Sequence, residues 1–386
     1  VGPGGAAVAH GYGRRASMTG TDVAQDQAGK PDAAVPAALS RRAALVDAAL
    51  LDAIAPALAR VEALDARLEP WTAELVGSIE AGGKRLRPAL VLLGHTMLGG
   101  DERDVLPAGL AVELLHLCAL LHDDLIDGAA TRRGRPTAHV TFAARHGELG
   151  HAGDRDRYGA AAAVLVGDLA FVLADEQFLR CSVPAETLLA GLAGFTTLRE
   201  EVMAGQALDV EAAAARASSR ELALAVAAAK SGRYSVARPL QIGALLAGAE
   251  PGLAGSLAAA VEPLGQAFQV RDDVLGVFGD QVVTGKSAGD DLREGKRTLL
   301  VAEALARLDD AGQDALEALL GDPDLDADGV ARARELIRDS GALDATQAWV
   351  DDAVARGLEA VAGLPLAPER VRELEAVGRW LVGRTA

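Results

Sequence analysis

From Ser40 onward, apolar residues return with a helical period. Leu45, Ala48, Ala49, Leu51, Ile54, Leu58, Val61 and Leu64 fall near one face, with Ser40 as a candidate N-cap and Pro56 as a break or kink. The same reading places helices from about Trp71 to the glycines at 82–83, from the basic stretch at 84–88 to about Leu98, and over 106–126 with Pro107 in the first turn. Others are predicted over 160–180, from beyond Pro184 to 210, and from the capping-box pair Ser218 and Glu221 to Tyr234, before an interruption at Pro239. A further helix covers 253–277 with a kink at Pro263, and amphipathic helices close the chain around Pro323, Pro365 and Pro368. Polar, glycine-containing loops fill 128–136, 147–159 and 279–295. No strand series and no repeat of fixed period interrupts the pattern. The prediction is all-α, with one large helical domain over 39–386. Residues 1–38 lack periodicity and read as a disordered extension without a secretory-signal core.

The segment 114–127, LLHLCALLHDDLID, ends an apolar helix in acids. Positions i and i+4 stack about 5.4 Å apart, so Asp123 and Asp127 share a face, with Asp124 beside them. Like charges at that spacing repel, so a positive partner is required. A second apolar helix ends the same way, in Phe268-Gln269-Val270-Arg271-Asp272-Asp273. Two such helices point to carboxylates facing each other across a cavity. Hard divalent cations, most naturally magnesium, would remove the repulsion. Magnesium takes phosphate oxygens as further ligands, so the predicted guest is a phosphate or diphosphate.

Composition sharpens this. Half of the 386 residues are hydrophobic and only 3% are aromatic, which favours helices over sheets. The net charge of -17 repels nucleic acid and anionic lipid at long range. An anionic substrate therefore needs a local basic patch. Gly82-Gly83-Lys84-Arg85-Leu86-Arg87-Pro88 supplies one: the glycines allow close approach and the cations can grip a polyanion. Arg132 and Arg133 follow the first acidic cluster. Lys230 lies in an apolar helix and needs an anionic partner, and Lys286 and Lys296 lie in the charged loop. Cys118 and Cys181 have no metal-ligand spacing and read as reduced, buried thiols of a cytoplasmic protein. The longest apolar run, 160–174, is interrupted by Asp168, so no integral membrane segment is expected.

GGKRLRP, DDLID, RRGRPTAH, FQVRDD and GKSAGDDLREGK together resemble the trans-isoprenyl diphosphate synthase (polyprenyl synthetase) family, most like a bacterial geranylgeranyl diphosphate synthase. The likeness runs from about Ser40 to the C-terminus. It implies an isoprenoid-synthase bundle around a deep central cavity, usually a homodimer. The implied reaction joins isopentenyl diphosphate to an allylic diphosphate (dimethylallyl, geranyl or farnesyl), with three magnesium ions per active site. The resemblance also assigns roles. Asp123 and Asp127, with Asp124 nearby, would hold magnesium, and Asp272 would hold a further ion. Arg132, Lys230, Gln269 and Lys286 would contact the allylic diphosphate, with Ser231 where the family often has threonine, and Lys296 would close over it. Lys84, Arg87, His116 and Arg133 would hold isopentenyl diphosphate. No protein base is required, because the departing diphosphate can take the proton.

One position departs from the family pattern. The second aspartate motif reads Asp272-Asp273-Val274-Leu275-Gly276, with glycine in place of the usual last aspartate; Asp280 or the pair Asp290 and Asp291 are candidate substitutes. For product length, the positions one turn back from Asp123 are the small Ala119 and Cys118, with Leu115 a turn deeper. Four residues of helix span about 6 Å, close to one isoprene unit. Members of the resembled family that stop at fifteen carbons commonly place an aromatic at this depth, so the resemblance implies a twenty-carbon product here, with twenty-five carbons as runner-up. Two other readings share some of these features: a class I terpene cyclase, which would not need Lys84, Arg87 and Arg133, and a non-catalytic subunit of a heteromeric synthase.

Overall fold

The computed structural model describes residues 36–279 and 289–383. Helix α1 (Ala37–Glu62) begins directly after Pro36, so Ser40 lies within it rather than capping it, and Pro56 is carried inside the helix. After a 3₁₀ turn come α2 (Glu69–Glu80), α3 (Leu86–Met97) and α4 (Glu102–Ile126). Helix α4 starts four residues before the expected point, because the Asp101 side chain caps it by accepting from Arg103 N at 3.0 Å. The basic loop forms a short antiparallel hairpin, β1 (Thr131–Arg132) and β2 (Arg135–Pro136), in place of the predicted irregular turn.

Helices α5 (Ala138–Glu148), α6 (Arg155–Phe178), α7 (Ala185–Ala214) and α8 (Arg220–Val226) follow, α8 capped by Ser219 rather than Ser218. The chain then winds as a π-helix over Ala227–Ala237 before α9 (Arg238–Leu246). Pro239 was expected to interrupt here. It has no N–H for the carbonyl four residues back, and the chain meets it with a wider turn instead of a break. Helix α10 (Pro251–Phe278) keeps Pro263 inside it. Beyond it lie α11 (Asp290–Arg293), α12 (Leu299–Arg307), α13 (Asp310–Glu317), α14 (Ala327–Asp339), α15 (Ala342–Ala362) and α16 (Pro368–Val382).

One apolar core joins α1, α2, α4, α6 and α7, with Leu50, Ile54, Leu114, Phe178 and Phe195 all fully enclosed. A second joins α3, α9, α10, α15 and α16 around Leu90, Leu240 and Leu257. The π-helical turn is pressed against α10, and glycine makes this possible. A Cβ at Gly265 would stand 2.5 Å from the Gly232 carbonyl oxygen, and one at Gly232 would stand 3.0 Å from Gln266 N. By length and apolarity α4 and α6 could each cross a membrane. The two helices pack on each other, and α4 is mostly enclosed by its neighbours. Cys118 and Cys181 are buried free thiols; burial pushes them up to about 12 and about 11, so both stay protonated.

Candidate functional site

The C-terminal end of α4 faces α7, the π-helical turn and the segment after α10. Asp123 accepts a hydrogen bond from Gln206 Nε2 of α7 at 2.9 Å and lies 3.3 Å from Lys230 Nζ. Lys230 also donates to Asp209 of α7 at 2.7 Å. Burial works to lower the Lys230 ammonium, but Asp123 and Asp209 outweigh it and hold the group above its ordinary value. The sequence called for an anionic partner for Lys230, and the structure supplies two. Gln206 and Asp209 were missed. Their signal, Gly205-Gln206-Ala207-Leu208-Asp209 in a mostly apolar helix, is weak without the fold. Gly205 lets α7 approach, since a Cβ there would stand 2.6 Å from Lys230 N.

Asp127 caps the end of α4 and lies 3.5 Å from Lys296 Nζ. Burial is the main force pushing the Asp127 carboxyl up; Lys296 opposes this and Asp123 adds to it. Lys296 also lies 3.5 Å from Asp291 Oδ1 and pairs with Glu294. Its ammonium is held well above its usual range, with Asp291, Glu294 and Asp127 overcoming burial. Lys296 thus stands between acids from two sides of the site. Asp124, expected beside Asp123 and Asp127, instead turns inward. It is 5% exposed and bonded to the Arg132 guanidinium, so the geometry makes Arg132 its counter-ion.

On α10, Gln269 accepts from the Ser231 hydroxyl and donates to Asp273 at 2.6 Å. Burial, then Asp291, pushes the Asp273 carboxyl up to about 7, against the Gln269 bond. Asp272 opens the same acidic pair. Lys286 lies outside the described residues, as does Asp280.

Arg87 and His116, expected at a second anion site, lie together. Arg87 Nη1 is 3.1 Å from His116 Nε2, Nη2 donates to Ser235 at 2.7 Å, and the guanidinium lies 4.6 Å from the Tyr234 ring centroid. Arg87 Nε is buried without a hydrogen-bond partner in the protein. Arg133 approaches the Gly82–Gly83 loop; a Cβ on Gly83 would stand 3.2 Å from its Nη2. Partial burial, followed by Arg85, lowers the Arg133 guanidinium, with Arg132 and Arg87 adding to the effect and Glu113 opposing it. His116 is held neutral, by burial first and then by Arg87 and Arg133. Burial leads both shifts and neighbouring guanidiniums add to each, so several cations are gathered here, which suits an anion. Lys84 is exposed beside this patch. Arg85 is not a gripping cation. It is enclosed, bonded to Asp47, Glu113 and the Ile79 carbonyl, and holds the loop from behind. Tyr234 and Ser235 complete the patch and were not foreseen, because their partners Arg87 and His116 come from α3 and α4.

Of the residues read as setting product length, Leu115 and Ala119 lie on the i, i+4 line through Asp123 and Asp127. Cys118 is rotated toward α6, its sulfur 3.8 Å from His122 Nδ1, while His122 Nε2 donates to the Val164 carbonyl at 3.1 Å.

Among the described residues, no three acidic, histidine or cysteine side chains are gathered as a ready metal cage. That fits magnesium, which is commonly held by one or two carboxylates together with substrate phosphates. The available donors are hard oxygens, and lysine ammoniums now neutralise them.

The polyprenyl synthetase family model matches residues 69–337. A short chain isoprenyl diphosphate synthase of Methanocaldococcus jannaschii is 34% identical over 67% of this chain and 74% of its own length. A geranylfarnesyl diphosphate synthase of Aeropyrum pernix is also 34% identical, over 77% of this chain and 88% of its own. Among solved structures, a geranylgeranyl pyrophosphate synthase of Corynebacterium glutamicum, in complex with isoprenyl diphosphate and magnesium, superposes with a TM-score of 0.85. It is 33% identical and covers 90% of this chain and 99% of its own. A polyprenyl synthase of Caulobacter crescentus, in complex with calcium and isoprenyl diphosphate, superposes at 0.75 with 31% identity, covering 93% and 100%.

Proposed function

The chain belongs to the polyprenyl synthetase family of trans-prenyltransferases, and from that premise we propose that it makes geranylgeranyl diphosphate from isopentenyl diphosphate and shorter allylic diphosphates. The observation that carries this reading is the pairing of two unlike sites on one helix. The end of α4 presents acids balanced by Lys230 and Lys296, and His116, two turns earlier, meets Arg87 in a patch with surplus positive charge.

Asp123, Asp127 and Asp272 would hold magnesium, three ions per active site, which supplies Lewis-acid stabilisation of the departing diphosphate. Lys230 and Lys296 are placed to exchange their carboxylate partners for diphosphate oxygens, adding charge where it develops. Arg87, Arg133, Lys84 and neutral His116 orient isopentenyl diphosphate, so that its double bond attacks the allylic carbon as the carbon–oxygen bond breaks. The proton lost from the adduct goes to the released diphosphate. Arg132 acts through Asp124, fixing the end of α4, and Ser231 acts through Gln269. The growing tail runs past Ala119 toward Leu115.

We also assign a homodimer built on α6. Its outward Leu165 and Val172, 54% and 61% exposed, form with Leu179 an apolar stripe suited to a second copy.

The test is a split in steady-state kinetics. Asp123→Asn should lower kcat with little change in KM for isopentenyl diphosphate, and Arg87→Met should raise that KM. If both variants affect the same parameter equally, the two-site assignment is wrong.

A further inference from the structure

Lys296 reaches the site from a stretch with no regular structure, residues 296–298 between α11 and α12. Its ammonium has three acidic neighbours. Asp291 and Glu294 belong to the same short stretch of chain, and Asp127 stands across the site at the end of α4. A lysine side chain is flexible, so where its ammonium settles depends on where its backbone is held. The next residue, Arg297, turns away from the site. Its side chain is 3% exposed and grips Glu317 of α13 with both prongs of the guanidinium, Nη1 to Oε1 at 2.5 Å and Nη2 to Oε2 at 3.0 Å. Nη1 also donates to Ser218, in the turn before α8, at 3.3 Å. A forked pair of this kind fixes direction as well as distance.

The turn after α13 meets the same stretch again. Gly321 N donates to the Leu292 carbonyl at 2.8 Å, and Arg293 Nε donates to the Leu325 carbonyl at 2.9 Å. Gly295, at φ +69°, comes so close that a Cβ on it would stand 3.0 Å from Gly321 Cα. The segment that carries Lys296 is thus seated on α13, an element that supplies no residue to either anion site described above.

We propose that Arg297, anchored on Glu317, is the positioning residue that holds the Lys296 ammonium toward Asp127 and the diphosphate, instead of letting it fall back on Asp291 and Glu294. The inference rests on the place given to Lys296 above. Through this anchor α13 acts on the reaction without touching substrate.

The test is a double-variant cycle on the full chain, read as steady-state rates for each substrate and as the thermal midpoint. Lys296→Met sets the full loss of the ammonium. A misplacement of about 1 Å can cost about 100-fold in rate, so Arg297→Met, which keeps length and removes the fork, should lower kcat/KM for the allylic diphosphate about 10-fold or more. KM for isopentenyl diphosphate should hold. In the Lys296→Met background the same change should cost less than about 2-fold, because the group it positions is gone. Native kinetics for Arg297→Met while Lys296→Met is impaired, or a loss of equal size in both backgrounds, would overturn the proposal and leave the reading of the site intact. Native kinetics for Lys296→Met would overturn the role of Lys296 and the proposal with it. Should Arg297→Met fail to fold, Glu317→Gln breaks the same pair from its more exposed side, 27% against 3%, and decides by the same cycle. A loss that vanishes in the Lys296→Met background supports the anchor, and any other result refutes it.

Discussion

Arg85 and Arg87 are two residues apart in one basic loop, and replacing them singly should separate stability from substrate binding. Arg85 donates to Asp47 at 2.7 Å, Glu113 at 2.5 Å and the Ile79 carbonyl at 2.9 Å. Its side chain is 2% exposed and that of Glu113 is 3% exposed. Arg85→Met would leave the Glu113 carboxylate buried without its cation, which costs about 3–5 kcal/mol. An unfolding entropy of about 2.1 cal/mol/K per residue, over the roughly 340 described residues, gives about 0.7 kcal/mol/K. The thermal midpoint should therefore fall by about 4–7 °C. Arg87→Met strands no buried charge, since its partners are His116, Ser235 and the Tyr234 ring, and the midpoint should hold. Losing its charged hydrogen bonds to a diphosphate, about 1.5–3 kcal/mol, should raise KM for isopentenyl diphosphate about 10- to 100-fold. Scanning fluorimetry and initial rates read both quantities. A native midpoint with a raised KM for Arg85→Met, or a lowered midpoint with native KM for Arg87→Met, would refute the division of labour.

Other outcomes follow from the same geometry. Ala119→Phe should shorten the product by at least one isoprene unit on chromatographic sizing; an unchanged distribution would remove Ala119 from the tail path. The thermal midpoint should also depend on His116. Its folded value lies well below the usual 6.5, so the unfolded chain binds the extra proton first as pH falls. Stability is full above about 6.5 and is lost as pH drops toward the folded value. His116→Gln should flatten that decline, and an equally steep decline in the variant would sink the assignment. Removing divalent cations with a chelator should abolish turnover, with recovery on adding magnesium; full activity in excess chelator would contradict the role given to Asp123 and Asp127.

The helices and the main acidic and basic groups were legible because they rest on local signals. Apolar spacing in α4 marks its buried face, and acids at an apolar helix end are costly enough to demand an explanation. The legible part stops where neighbours in space matter more than neighbours in sequence. Arg85 and Arg87 look alike as letters, and only the enclosure of one by Asp47 and Glu113 separates them. Asp124 reads as part of a cluster until Arg132 turns it inward. Gln206, Asp209, Tyr234 and Ser235 join the site where separate helices cross, and periodicity within one helix says nothing of which helices meet. Gly276 reads as a defect in a motif. In the fold the Asp291 carboxylate lies against it, which the motif alone does not show.

The measurement closest to the central claim is product analysis of the purified chain, supplied alone with magnesium, labelled isopentenyl diphosphate and, in turn, dimethylallyl, geranyl and farnesyl diphosphate. The expected result is turnover without any partner protein and a twenty-carbon diphosphate as the main product from each starter. A main product of fifteen carbons, or no elongation from any starter, would contradict it.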